Sequence, residues 1–540
     1  MTIARKDLAM PAVIFGSLLA GALYTYFAGE DTNWDWRNYH EYGAYALLNG
    51  RFDLDVAPGG LQTFLNPLAY LPPYLLRHVF GAPAWGPMLG AIHGLNLALI
   101  FWISRGILGN VASTLTLVAS LVIAAFGPMT LFEAGTSFAD ILTALPIVAG
   151  VGLMLSDGER QQTRLMAAGL LIGAAAGLKL TNMIFLIGAG ASLLLVASPL
   201  PAMFAFGAGS AAGALVTGGA WAYGLWTEFG SPVFPFYNEI FRSPEAPLES
   251  IADGRFTPHG LLDAFAYPFY WLAGVPRSAE WAFRDPRFAA LIVLLAVTIG
   301  VGRWRNVELL RPRDKRFLLL FFASYALWLQ AFSIQRYAIV LELLAAPLLV
   351  LLLSRLVQTL CSASEEGSPR VIGIATTLTA LAIAIGSQPG DWPRRPWSDP
   401  YRPRLAGTLM TPATYLMLEK PLGYILPLLP ADSRFYQLSD IVMPIAPGGS
   451  LDQRVRAGLA HPLPGGVWAL YLRGSPPRLD LLDPYDLKID AARACARIPG
   501  ADGVDIEACP LVSRSKPVWA TVLRPDSAGT AERPHFNQPI

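Results

Sequence analysis

Long apolar runs separated by short polar segments dominate this chain, and a run of roughly 17 or more apolar residues can cross a bilayer as a helix. The pattern predicts about eleven transmembrane helices, at residues 11–28, 84–104, 111–131, 141–156, 165–178, 181–197, 204–225, 288–301, 317–333, 338–357 and 371–387. The predicted fold class is therefore mainly α, a polytopic membrane helical bundle.

The polar segments predict the orientation of this bundle. Arg5 and Lys6 precede the first apolar run, and the densest basic cluster lies between residues 303 and 316. Because basic residues favour the cytoplasmic side, we expect a cytoplasmic N-terminus and an uncleaved first helix in a bacterial inner (plasma) membrane. A first outer loop then covers residues 29–83, and a long outer loop covers residues 226–286.

The chain divides into a transmembrane domain, residues 1–390, and an extracytoplasmic C-terminal domain, residues 391–540. The apolar alternation at residues 467–472 and 518–523 is typical of strands, so the tail is predicted to be a small α/β domain with a disordered end. Cys495 and Cys509 would lie in an oxidising compartment, where they could pair, whereas Cys361 would be inside and reduced.

Composition narrows the function. The chain has 540 residues, of which 54% are hydrophobic and 15% charged, against roughly 25% charged in soluble proteins. A net charge of +1 argues against a nucleic-acid partner. Neither of the glycine-rich nucleotide-binding motifs is present, which argues against a nucleotide-powered transporter. His40 and His259 are isolated, and we expect both at the surface.

The first outer loop concentrates carboxylates and aromatic rings at the membrane–water interface, where aromatic rings settle. Asp35 is the first candidate for a general base, although it also suits the N-cap of a helix that ends at Asn49-Gly50. Asp31 is the competing base, with the alternative of a solvated loop charge. A carboxylate fixed at the membrane surface predicts chemistry on a lipid-linked substrate.

Two cations and a second set of polar residues extend this site. Lys179 and Arg336 fall at predicted helix ends, where they either bind an anion or only extend to the interface. Asp140 either binds the substrate or a metal ion, or caps a second helix. With Glu133 and Asp35 it would offer oxygen ligands to Mg²⁺ or Mn²⁺, although the spacing of these residues does not require a metal ion. In the long outer loop, three residues either contact the substrate or anchor the interface: Tyr237, Asn238 and Glu239.

Several of these residues also form short motifs: Asp35-x-x-x-Tyr39, Asn66-Pro67-Leu68, Gly173-x-x-x-Gly177-x-Lys179 and Gln335-Arg336-Tyr337. Together they resemble the GT-C superfamily of membrane glycosyltransferases, in the branch of the aminoarabinose and protein mannosyl transferases. The chain departs from that pattern in lacking a clear Asp-Glu pair in the first loop.

The resemblance implies transfer of a sugar from a polyprenyl-phosphate donor to an extracytoplasmic glycan, lipid or protein. It implies a single inverting displacement with Asp35 as base, Lys179 or Arg336 on the phosphate, and Tyr39 at the substrate. Two alternatives stay open: a transporter or flippase of a lipid-linked glycan, and an O-antigen-type polymerase or ligase.

Overall fold

The computed structural model describes residues 9–249, 251, 253–360, 368–391, 394–440 and 442–515. Arg5, Lys6, Cys361, the predicted strand at 518–523 and the predicted disordered end lie outside these residues. Described helices are α1 Ala9–Ala28, α2 Glu41–Leu48, α3 Leu71–Phe80, α4 Trp85–Leu108, α5 Thr114–Ala125, α6 Pro128–Glu133, α7 Ala139–Leu155, α8 Gln161–Leu178, α9 Met183–Ser192, α10 Pro199–Ala214, α11 Ala220–Phe229, α12 Asn238–Phe241, α13 Leu261–Ala273, α14 Arg287–Arg305, α15 Pro312–Ala331, α16 Ile339–Leu360, α17 Ser368–Gly386 and α18 Ser450–Ala460.

The helices form a multi-pass membrane bundle, but the expected eleven spans are not confirmed. In the described part of the chain, six helices are long and apolar enough to cross a membrane, and three apolar helices are shorter. One reason is visible at the predicted span 111–131, where Pro128 starts a new helix after Gly127 and leaves α5 with 12 residues. Proline is favoured at a helix start because it needs no N–H partner there.

Helix α16 forms the centre of the bundle, with nearly all of its side chains from Ile339 to Leu352 buried. Elsewhere in the bundle, α8 and α10 cross closely because α8 carries small residues at every fourth position. A methyl group added at Gly173 would lie 2.1 Å from the Ser210 carbonyl oxygen. Such small-residue spacing lets two helix backbones approach in a membrane. The close crossing fixes the end of α8, where Lys179 follows.

The predicted α/β tail is present as a mixed sheet between residues 414 and 513. Its strands are β3 Thr414–Met417, β4 Arg434–Gln437, β5 Val467–Leu472, β6 Leu487–Ile489, β7 Ala496–Ile498 and β8 Ile506–Ser513. The order is β4-β3-β5-β8-β6, with β7 also paired to β8; β3 is parallel to β4 and β5, whereas β8 is antiparallel to its partners. The predicted strand at 467–472 is confirmed, and Cys495 and Cys509 form a disulfide.

The tail packs directly on the first outer loop. Strand β1, Glu30–Asp31, pairs antiparallel with β2, Arg394–Arg395. Further along, Arg51 donates to the carbonyls of Ala431 and Ser433, both at 2.6 Å, while its neighbour Asp55 accepts from the Phe435 N–H at 2.9 Å. The tail therefore supports the loop that carries the candidate base.

Candidate active site

Asn33, rather than Asp35, caps the helix of the first outer loop. The Asn33 Oδ1 atom accepts from the Trp36 N–H at 2.6 Å, which is the bond that an N-cap side chain makes. Asp35 already has helical backbone angles and makes no capping bond. The N-cap interpretation of Asp35 is therefore wrong, and its carboxylate is available for other partners. The predicted helix end is confirmed, since α2 stops at Leu48 and Gly50 has a positive φ of 59°.

Between the cap and α2, residues Trp36–His40 form a π-helical turn. This wider turn brings residues five apart onto one face, as the 3.0 Å hydrogen bond from Trp36 Nε1 to Glu41 Oε2 demonstrates. Glu41 is itself buried and pairs with Arg77 of α3. By the same spacing, His40 lies on the face of Asp35. π-turns inside helices are frequent at functional sites.

Asp35 forms an ion pair with Arg336, whose Nη1 lies 2.6 Å from the Asp35 Oδ2. The Arg336 guanidinium also lies over two rings, 5.0 Å from the centre of Phe138 and 5.1 Å from that of Tyr337. Burial by itself would raise the pKa of Asp35, but its neighbours, with Arg336 foremost, together outweigh burial and the pKa is lowered. Asp35 is therefore a carboxylate at neutral pH.

A second ion pair also lies against the Tyr337 ring. The Lys179 Nζ is 2.5 Å from the Asp140 Oδ1 and 4.7 Å from the centre of the Tyr337 ring. Asp140 does not cap α7, because Glu133 accepts from the Ile141 N–H at 3.0 Å instead. The cap interpretation of Asp140 is wrong as well. Two cations and two carboxylates thus surround one tyrosine where α7 and α16 begin and α8 ends.

His40 is buried, so its predicted surface position is wrong. Its ring stacks on Tyr70 with centres 4.0 Å apart, and it meets Tyr39 edge-on at 4.4 Å. Its Nδ1 is 2.8 Å from Ser137 Oγ. The spacing to Asp35 hides this residue from sequence reasoning, because five positions do not align in an ordinary α-helix.

Asp31 holds the loop in place. It is fully buried and accepts from the Asn33 Nδ2 at 2.6 Å and from the Ser137 N–H at 3.0 Å, while Tyr401 donates to its carbonyl oxygen at 2.9 Å. It is therefore no solvated loop charge. These bonds join the first outer loop to the start of α7 and to the tail.

The three candidates of the long outer loop lie in a different set of contacts. Asn238 is buried and donates to the carbonyls of Ser243, Ala246 and Pro247, so it closes its own loop. Tyr237 is 53% exposed and Glu239 is exposed. Their roles at the substrate stay predictions.

The carboxylates do not fit a divalent cation. Asp35 and Asp140 each have a cationic partner, and those two cations would repel a metal ion. Within the described ranges, one group of three potential ligands comes together, Cys495, Glu507 and Cys509, and its two cysteines form the disulfide.

Two comparisons bear on this arrangement. Residues 64–276 match Glycosyltransferase family 87, a range that contains Asp140 and Lys179 and leaves out Asp35 and Arg336. The fold is similar to the crystal structure of ArnT from Cupriavidus metallidurans bound to undecaprenyl phosphate, with a TM-score of 0.52 and 12% identity, over 94% of this chain and 98% of that one. No curated protein matches the chain. At this identity the likeness to ArnT concerns the fold alone. With the family match, it confirms the resemblance and supports a membrane glycosyltransferase of the GT-C type.

Proposed function

We propose that the chain transfers a sugar from a polyprenyl-phosphate donor to a hydroxyl group of an extracytoplasmic glycan, lipid or protein. The observation that carries this proposal is the pairing of Asp35 with Arg336, where a carboxylate and a cation meet beside a membrane bundle. The match to family 87 supports the reaction class. The ArnT fold, seen there with undecaprenyl phosphate, supports the kind of donor.

Arg336 and Lys179 are placed to bind the donor phosphate together, because both lie against the Tyr337 ring. The phosphodiester of the donor carries one negative charge, as a carboxylate does, and accepts bidentate bonds from arginine. It would therefore compete with Asp35 for Arg336 and with Asp140 for Lys179. As the sugar leaves, the same two cations stabilise the charge that grows on the phosphate.

This exchange of partners releases the base. Once Arg336 binds phosphate, the Asp35 carboxylate loses the charge that lowers its pKa and becomes more basic. It can then accept the proton of the acceptor hydroxyl while the hydroxyl oxygen attacks the anomeric carbon. The bond from that carbon to the phosphate oxygen breaks on the opposite face, so one displacement inverts the configuration. The electron pair of the broken bond remains on the phosphate.

The neighbouring polar residues then have roles at the substrate. Asp140, released from Lys179, offers its carboxylate to a sugar hydroxyl, and its Oδ2 is a buried atom without a partner in the described residues. Tyr39, which packs against Tyr70, forms the adjoining wall. We assign the exposed Tyr237 and Glu239 of the long outer loop to the wall near the sugar. We place this chemistry at the periplasmic surface of a bacterial inner membrane.

The test is sugar transfer by the purified protein with a panel of polyprenyl-phosphate sugars. Asp35→Asn removes the base and should lower the transfer rate roughly 100- to 10,000-fold, the range for general-base catalysis. Asp480→Asn, an exposed carboxylate of the tail, is the matched control and should keep the wild-type rate. Donor that crosses a bilayer unchanged, in both variants alike, would replace this proposal by a flippase.

A further inference from the structure

A chain of hydrogen bonds fixes the position of the proton on His40. The Asn33 Oδ1 accepts from the Trp36 N–H. The other polar atom of the Asn33 side-chain amide, Nδ2, is therefore the donor. That Nδ2 donates to Ser137 Oγ at 2.7 Å. The Ser137 hydroxyl therefore directs its own hydrogen to the His40 Nδ1, 2.8 Å away. A neutral imidazole that accepts at Nδ1 carries its proton on Nε2.

His40 stays neutral in this environment. Its pKa is lowered to about 3, chiefly by burial. The Asp35 carboxylate opposes this shift, and the charges of Lys179 and Arg336 add to it. The Nε2–H group has no hydrogen-bond partner among the residues that the structure describes. A donor of this kind is available to a ligand.

The ring is held rigidly next to both cations. Tyr70, Tyr39 and Phe138 contact it on three sides, and Phe138 also lies under Arg336. An anion bound by Arg336 and Lys179 would thus lie beside an uncharged N–H donor. Such a donor strengthens anion binding without the desolvation cost of a third buried cation.

We propose that the His40 Nε2–H donates to the phosphate of the polyprenyl donor, as a third ligand beside Arg336 and Lys179. This inference rests on the proposed function and adds a residue that neither the motifs nor the family match includes. The other two ligands supply charge, whereas His40 supplies a directed N–H group, because the stacking on Tyr70 and the bond to Ser137 orient its ring.

The experiment measures equilibrium binding of undecaprenyl phosphate and of undecaprenol, which lacks the phosphate, to the full chain in nanodiscs. His40→Leu should lower the affinity for undecaprenyl phosphate about tenfold and leave the affinity for undecaprenol unchanged. His40→Gln keeps an N–H donor near the Nε2 position and should stay within about threefold of wild type. Ser137→Ala keeps the His40 ring in place but no longer fixes which ring nitrogen carries the proton. It should lower the affinity for undecaprenyl phosphate about threefold.

The outcomes separate this inference from the proposed function. Wild-type affinity of His40→Leu for undecaprenyl phosphate, while Arg336→Gln binds it weakly, would overturn the inference and leave the function standing. An equal loss for both ligands would mean that the ring only supports the fold, and would also overturn it. Undiminished binding by Arg336→Gln would overturn the proposed function and this inference with it.

Discussion

At the scale of single residues, the two aspartates of the first outer loop have different tasks. Asp35 faces a cation and a ring-lined space, whereas Asp31 is enclosed by donors from its own loop and from residue 137. One is placed to exchange its partner when an anion binds. Asp31 cannot exchange its partners in this way, because the backbone N–H groups of Asn33 and Ser137 that donate to it are fixed in place.

Asp31→Asn should therefore lower the stability of the fold rather than act directly on the chemical step. The amide would present N–H groups to the Asn33 and Ser137 donors, leaving buried groups unsatisfied at about 1–3 kcal/mol. We expect a lower melting temperature in detergent, with Asp480→Asn unchanged. A variant that melts like the wild type but transfers no sugar would instead make Asp31 a catalytic residue.

Residue types alone indicated much of this site, because carboxylates, basic residues and tyrosines at helix ends have few other uses in a membrane protein. Asp35, Arg336, Asp140 and Lys179 do come together in two ion pairs. What the sequence could not indicate is which neighbour does the capping. Asp31, Thr32, Asn33 and Asp35 are all cap formers, and only packing selects Asn33.

At the scale of elements, the π-turn and α2 are held by a buried ion pair. Arg77 of α3 reaches Glu41, and both side chains are 1% exposed. Burial by itself would raise the pKa of Glu41, but Arg77 and His78 together outweigh burial and the pKa is lowered. This pair aligns the turn that carries Asp35 and His40. A π-turn has no signature in hydrophobic periodicity, so the sequence predicts an ordinary helix there.

Arg77→Met should destabilise the protein strongly, because it removes the buried guanidinium that neutralises Glu41 and leaves that carboxylate only Trp36 and His78. Breaking a buried ion pair typically costs about 3–5 kcal/mol. Unfolding followed by thermal or chemical denaturation measures this. Arg478→Met, in an exposed tail pair, is the control and should leave the stability at the wild-type value. Equal stability of the two variants would contradict the structural role of the pair.

The same pair gives stability a pH dependence of defined sign. The lowered pKa of Glu41 means that its contribution is complete above the unfolded value of about 4.3 and is lost as pH falls through the folded pKa. Stability of the wild type should therefore decrease below about pH 4.3, and that part of the decrease should be absent in Glu41→Gln. Parallel profiles of stability against pH for the wild type and Glu41→Gln would contradict this role of Glu41.

At the scale of the whole molecule, the tail is part of the active-site support. Arg394 of β2 donates to the carbonyls of Phe132 and Ala134, at 3.0 and 2.8 Å, and its strand pairs with Glu30–Asp31. The tail thus joins the first outer loop to the segment before α7. Sequence patterns predicted a separate α/β domain but not this docking, because contacts between distant segments leave no local signal.

Arg394→Met should lower the transfer rate roughly tenfold or more, since small displacements of catalytic groups are costly, although Arg394 contacts neither ion pair. Arg404→Met, exposed in the same segment, should keep full activity. The comparison uses initial rates at saturating donor. Equal rates for the two variants would show that the tail contributes nothing to the site.

The central claim is that one phosphate takes Arg336 from Asp35 and so creates the base. Affinity for undecaprenyl phosphate and sugar transfer, measured on the same preparation of Asp35→Asn, tests it most directly. We expect the variant to bind the phosphate severalfold more tightly than wild type, because Arg336 no longer has a competing carboxylate, and yet to transfer sugar roughly 100- to 10,000-fold more slowly. Weaker binding of the phosphate, or transfer at the wild-type rate, would contradict it.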